Sequence, residues 1–201
     1  AAANASGKAS QEGPFVQTLV GGALNPYPEL KRPTPYHLPH AAMPLGPAPV
    51  YGGDDRWLQN IFFGGGEDAV YGTAEYDGSP ASLEEYTARV KALGYGDVEQ
   101  FERVRQPAYI RGNVYLNGAK AFAAEQESCI VQGRAAVRLV RADDGVRLEL
   151  DLPEEAFASS GEVVTSETLG MTRITEARFE NPDGSSLALD TDLLGNALAG
   201  R

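Results

Sequence analysis

Basic side chains, cysteine, histidine and long apolar runs are all scarce in this 201-residue chain. Lys and Arg number 17 against 28 Asp and Glu, giving a formal net charge of −11. A surface this acidic repels phosphate backbones and anionic headgroups, which excludes nucleic acid and membrane surfaces as partners. There is one cysteine, Cys129, so neither an intramolecular disulfide nor a Cys-rich metal site can form. Cys129 reads as a small buried hydrophobe, because the two histidines that could activate it, His37 and His40, lie far away in sequence. No run is long and apolar enough to span a bilayer. Residues Ala1 to Glu12 lack the apolar stretch of a signal peptide, which slightly favours a cytoplasmic location. They read as a disordered tail, or as the point where an upstream protein has been cut.

What the chain does contain is strand-like. Pro14 to Val20, Arg56 to Phe63, Tyr109 to Leu116, Ala136 to Val140 and Val146 to Leu152 are short apolar or alternating runs, each read as one strand. Asp143-Asp144-Gly145 and Asn181-Pro182-Asp183-Gly184 read as turns. Val163 to Thr165, Arg173 to Phe179 and Ser186 to Asp190 continue the strand series, and Ala69 to Tyr76 has room for one more. Ser82 to Leu93 is the clearest helix. Ser82 and Glu85 form a capping box, and Leu83, Tyr86, Val90 and Leu93 share a face. A second short helix is expected over Asp97 to Val104. No repeat of fixed length is visible.

Eight of the 13 prolines lie between Asn25 and Pro49. Proline fixes φ and removes a donor, so this segment is neither helix nor central strand. It is too rich in Tyr, Leu and His for a simple linker, and reads as a long ordered loop over a scaffold, the kind that carries function.

Several phrases in order carry a resemblance. They are Gly13-Pro14-Phe15; Thr34-Pro35-Tyr36-His37-Leu38-Pro39-His40; Gly52-Gly53-Asp54-Asp55-Arg56-Trp57 with Asn60-Ile61-Phe62; Gly112-Asn113-Val114-Tyr115-Leu116-Asn117-Gly118-Ala119; Leu169-Gly170; and Glu180-Asn181-Pro182-Asp183-Gly184-Ser185 with Leu189-Asp190-Thr191-Asp192. From residue 13 to about 195 the chain resembles the carboxyl-terminal part of bacterial right-handed parallel β-helix glycoside hydrolases, such as the family 120 β-xylosidases. The resemblance implies a mainly β fold: terminal β-helix rungs, then a small antiparallel β region, with one short helical insertion. The implied division is a tail at 1–12, rungs at 13–125 with a Pro-rich loop (22–53) and a helical insertion (82–104), and a hairpin-rich cap at 126–201.

Such enzymes cleave with two carboxylates, one nucleophile and one acid/base. In the family both lie upstream of the Gly-Pro phrase, the second only a few residues before it. Here Lys8, Ala9, Ser10 and Gln11 hold that place, and Glu12 stands where a histidine is expected. No catalytic residue is therefore assigned, and no cofactor is expected. The chain reads as an enzyme portion whose partners are a carbohydrate and its own missing upstream rungs. The alternative is a non-catalytic carbohydrate-binding or structural β-module. An exposed apolar sheet end near Phe15 to Leu24 suits either a truncation or a homo-oligomer interface.

Tyr36, His37, His40, Asp54, Asp55 and Arg56 form the candidate substrate-binding set. His37 and His40 suit sugar hydroxyls, or hydrogen bonds to the loop backbone, or a metal with Asp54 and Asp55, though no known ligand spacing supports the metal. Of the two aspartates, one can face a cleft while the other pairs with Arg56 or caps a turn. Trp57 could stack on a sugar ring but reads more simply as core. The acid pairs Glu84–Glu85, Asp143–Asp144 and Glu154–Glu155 read as solvated surface.

Overall fold

The computed structural model describes residues 2–3, 13–24, 29–37, 40–50, 53–65, 71–76, 79–93, 106–143, 145–157, 162–173, 175–191 and 196–198. In chain order the strands begin with β1 (Ala2–Ala3), β2 (Pro14–Val16) and β3 (Leu19–Val20). A proline-rich pair follows, β4 (Glu29–His37) and β5 (Pro44–Val50), then β6 (Arg56–Leu58) and β7 (Ile61–Phe63). Helix α1 (Leu83–Leu93) precedes β8 (Tyr109–Arg111), β9 (Val114–Leu116) and β10 (Cys129–Ile130). The remainder comprises the hairpin β11 (Ala136–Ala142) and β12 (Gly145–Asp151), then β13 (Val164–Thr165), α2 (Ser166–Leu169) and β14 (Ala188–Leu189).

Three runs expected as single strands are each broken at a corner. Pro14–Val20 divides into β2 and β3, Arg56–Phe63 into β6 and β7, and Tyr109–Leu116 into β8 and β9. The corner residues are Gln17, Gln59 and Gly112, at φ of 51°, 55° and 66°. A left-handed residue turns the chain sharply without interrupting the apolar run, so the period alone does not show it.

The halves stack in parallel. Phe15, Trp57 and Ile110 lie in register on one face. Val20, Phe62, Tyr115 and Ile130 lie in register on the next. A third line runs through Ala23, Gly72 and Lys120. Each circuit of the chain adds one strand to each face, so the body is a β-helix-like stack. Stacked strands are about 4.8 Å apart, which places like side chains on one another. Phe15 lies on Trp57 with ring centroids 4.0 Å apart, and Phe62 on Tyr115 at 5.3 Å, the rings of both pairs nearly parallel. These rings with Leu24, Ile110 and Phe122 form the inner core. Trp57 is core, as its simpler reading required.

Outer faces are buried too. Leu58 packs under Val164 and Leu169, while Phe63, Val114 and Leu116 pack under Val131, Ala135 and Ala156. Strands covered on both sides read as unbroken apolar runs, which explains the sequence pattern. Close stacking also demands glycine. A Cβ on Gly64 would sit 2.0 Å from the Asn117 carbonyl oxygen, and one on Gly72 would sit 2.2 Å from that of Lys120.

The proline-rich segment is not a loop throughout. β4 and β5 pair antiparallel, with Pro33 opposite Pro49 and Pro35 opposite Pro47. Prolines on alternate positions leave Thr34, Tyr36, Gly46 and Ala48 as ladder donors, and a two-stranded ribbon has no second neighbour to satisfy. Among the described residues of 173–179 no strand forms either, only a bridge at Arg178. Thr172 donates its N–H to the Ala177 carbonyl (2.9 Å), and the Thr172 hydroxyl accepts from the Ala177 N–H (3.0 Å), closing a tight loop. This hydroxyl-to-backbone bonding competes with a ladder. In the region 69–76 a bridge at Gly72 and a 3-10 turn at Ala74–Tyr76 replace the expected strand, and 69–70 lie outside the described residues.

Helix α1 and both turns agree with expectation. The Glu85 N–H donates to Ser82 Oγ (3.2 Å), and the Glu85 carboxylate accepts from the Ala81 N–H (3.2 Å), one residue earlier than an ideal box. Tyr86 and Val90 are buried. The expected helix at 97–104 and most of the tail at 1–12 lie outside the described residues. Ala2 and Ala3 pair in parallel with Leu19 and Val20.

Candidate functional site

A polar ladder runs along the corners. The Thr18 N–H donates to Asn60 Oδ1 (2.9 Å), the Asn60 N–H to Asn113 Oδ1 (2.8 Å), and the Asn113 N–H to Glu125 Oε1 (3.0 Å). Each asparagine amide also donates: Asn60 Nδ2 to the Phe15 carbonyl and Asn113 Nδ2 to the Trp57 carbonyl. A left-handed corner leaves backbone groups without strand partners, and the fully buried Asn60 and Asn113 supply them.

Glu125 ends the ladder. It accepts from Asn113 Nδ2 (2.7 Å) and from the Tyr115 hydroxyl, which also bonds the Thr73 hydroxyl (2.7 Å). Burial raises the Glu125 carboxyl above its ordinary 4.5, against the lowering effect of its three donors. Burial, then the Glu125 charge, raises the Tyr115 hydroxyl. A carboxyl whose value is higher folded than unfolded contributes stability below about pH 4.5, and loses it as pH rises through the folded value. Glu125→Gln keeps the acceptor and has no charge to desolvate. It should gain stability relative to the native chain as pH rises from 4.5 toward neutrality. Urea melts of both chains across that range check this. Parallel stability curves would contradict it.

The second constellation is Asp54-Asp55-Arg56, where the Pro-rich hairpin returns to the stack. All three are buried. Arg56 Nη1 bonds Asp54 Oδ1 (2.8 Å) and the Asp54 carbonyl, Nε bonds the Leu169 carbonyl (2.8 Å), and Nη2 bonds the Met171 carbonyl (2.7 Å). The guanidinium lies between the Tyr109 ring (4.5 Å) and the Phe179 ring (5.1 Å). Asp54 Oδ2 accepts from the Arg173 N–H (2.7 Å), and the Arg173 guanidinium lies over the Tyr86 ring of α1. Asp55 Oδ1 accepts from the Gly13 N–H (2.8 Å), one rung away. The salt-bridged Asp turn weighed from sequence is what the geometry shows. These side chains join the stack, the helix and the carboxyl-terminal segment. Gln106, also fully buried, has no hydrogen-bond partner on either amide atom among the described residues. It lies against Gly53, where a Cβ would come within 2.6 Å.

Tyr36, His37 and His40 lie elsewhere on the hairpin. Tyr36 is half-buried on β4, and His37 and His40 are exposed. His40 Nε2 meets Glu180 Oε1. Glu180 follows Phe179, whose ring contacts Arg56. One short segment thus brings His40 and the buried Arg56 hub together, while His37 does not join them. Among the described residues no group of three or more His, Cys, Asp or Glu could hold a metal, and the Asp54 carboxylate is occupied by Arg56 and Arg173.

Sequence reading missed Asn60, Asn113 and Glu125. The signal was Asn-Ile-Phe against Asn-Val-Tyr, an amide followed by β-branched and aromatic residues, after a corner in each case.

The same fold occurs in a solved protein. A structure described as the complex of XylC with xylose superposes at a TM-score of 0.84 and 39% identity. The match covers 94% of this chain and 30% of that one. This chain therefore spans less than a third of the length of that protein. No family model and no curated protein matches the chain. The identity is high enough to relate the chain to XylC and not merely to its fold. No helix among the described residues is long and apolar enough to cross a membrane.

Proposed function

We propose that this chain is the carboxyl-terminal portion of a β-xylosidase-like glycoside hydrolase acting on plant cell-wall pentosides. In this reading it supplies terminal rungs of a right-handed β-helix, a cleft wall and a cap, in the division 13–125 and 126–201. The catalytic carboxylate pair lies upstream of Gly13, outside this chain. The observation that carries the reading is the likeness to XylC, solved with xylose, along 94% of the chain.

In this reading the candidate residues do two kinds of work. Tyr36, His37 and His40 sit on the Pro-rich hairpin, which forms the wall, and contact sugar hydroxyls. Asp54, Asp55 and Arg56 act through backbone. Asp55 holds Gly13, and therefore the exit of the segment that would carry the acid/base, while Arg56 holds the cap. Positioning of this kind matters because small displacements of a reacting group cost large factors in rate.

The test joins the chain to the upstream rungs of its gene and measures hydrolysis of an aryl β-xyloside. The joined protein should cleave, and the chain alone should not. His37→Ala in the joined protein should raise KM about tenfold with little change in kcat, as loss of a sugar contact does. A folded joined protein that binds xylose without cleaving it would favour the carbohydrate-binding module instead.

A further inference from the structure

The hairpin β11–β12 stands apart from the body. Every residue of β12 is exposed, and along β11 only Ala136 and Val140 are half-buried. A free-standing two-stranded hairpin is at best marginal in water. Its two faces differ sharply. Opposite residues share a face, so Val137 with Leu150, Leu139 with Leu148, and Arg141 with Val146 make one face. The other face carries Arg138 opposite Glu149 and Val140 opposite Arg147. The first face is apolar yet open: Leu139 is 69% exposed and Val146 63%. Five aliphatic side chains on one exposed ribbon make a patch of the kind that marks an interaction surface.

We infer that this face binds the same face of a second copy of the chain. Topology argues against the upstream rungs as its cover. Those would extend the stack beyond β1 and β2, whereas the hairpin follows β10 at the opposite end of the order β1-β3-β7-β9-β10. A sugar is a poor occupant, because the face carries no aromatic ring and no hydroxyl. Charge selects a two-fold arrangement. Arg141, at the tip of the apolar face, makes no ion pair among the described residues. Glu154 and Glu155, just beyond the hairpin base, make none either, and Phe157 beside them is 63% exposed. Two copies packed face to face with hairpins antiparallel bring each Arg141 to the other copy's Glu154 and Glu155. The Leu139–Leu148 pairs then meet at the centre. A self-complementary patch of this kind closes as a dimer.

Sedimentation equilibrium of the full chain at micromolar concentrations tests this. The native chain should be dimeric. Leu139→Glu should weaken the dimer about a hundredfold, and Arg141→Glu about tenfold. Arg141→Glu combined with Glu154→Arg and Glu155→Arg should restore it, a rescue that only self-association provides. Near-ultraviolet circular dichroism of the Trp57 stack reports that each variant stays folded, and Arg141→Glu removes no core contact. A monomeric native chain, an unaffected Leu139→Glu dimer, or a failed charge swap would each overturn the inference.

Discussion

Arg56→Ala is expected to cost about 3–5 kcal/mol. The guanidinium is 1% exposed and satisfies one carboxylate and three carbonyl oxygens. Removing it takes from the buried Asp54 carboxylate its guanidinium partner, and strips the Leu169 and Met171 carbonyls of the Arg56 donors. Two aromatic faces, Tyr109 and Phe179, lose the cation between them. For a domain of this size the loss corresponds to a fall in melting temperature of roughly 6–20 °C. Arg56→Lys should recover little, because one ammonium cannot reach partners arranged for a planar fork. The carboxyl-terminal segment should detach first, so limited proteolysis after Leu169 should accelerate before the rungs melt. A loss under about 1 kcal/mol would show that the segment is held by the Val164 and Leu169 contacts alone.

Asn113→Ala comes second, at about 2–4 kcal/mol. Its amide makes four bonds: two accepted from Asn60, one donated to the Trp57 carbonyl and one to Glu125. Alanine leaves the Asn60 N–H without its acceptor inside the stack and removes the side-chain donor to the Trp57 carbonyl. Asn113→Asp is worse at neutral pH, since it places a carboxylate against Glu125. Because Asn60 and Asn113 bond each other, the double alanine variant should cost less than the sum of the singles, by about 1 kcal/mol. Urea unfolding of the four chains measures this. Strict additivity would mean that the rungs do not share the ladder.

The sequence was legible where local chemistry decides structure. The Ser82 cap, the Asn181–Gly184 turn and the β11–β12 hairpin each follow from a few adjacent residues. The strand runs were legible as apolar segments but not as bent ones, because Gln17 and Gln59 hold φ values that glutamine rarely takes. Only stacking on the neighbouring rung over-determines them. The repeat was hidden because successive rungs are separated by 42 and then 53 residues. The Pro-rich segment was misjudged as a loop because eight prolines exclude a central strand but not an isolated ribbon. Of the candidate site, the Asp54–Arg56 pairing was foreseeable from adjacency. Its contacts with Leu169, Met171 and Arg173, more than a hundred residues away, were not.

Those unequal intervals have an evolutionary meaning. From Phe15 to Trp57 to Ile110 the register is kept to the residue, while everything the chain adds or removes is spent between the third line and the next corner. The Pro-rich ribbon occupies one such gap and helix α1 the other. A frame whose alignment rests on corner amides and stacked rings lets these excursions be lengthened, shortened or exchanged without touching the residues that hold it in register. Relatives of this chain can therefore diverge in what they recognise while their interiors stay superimposable.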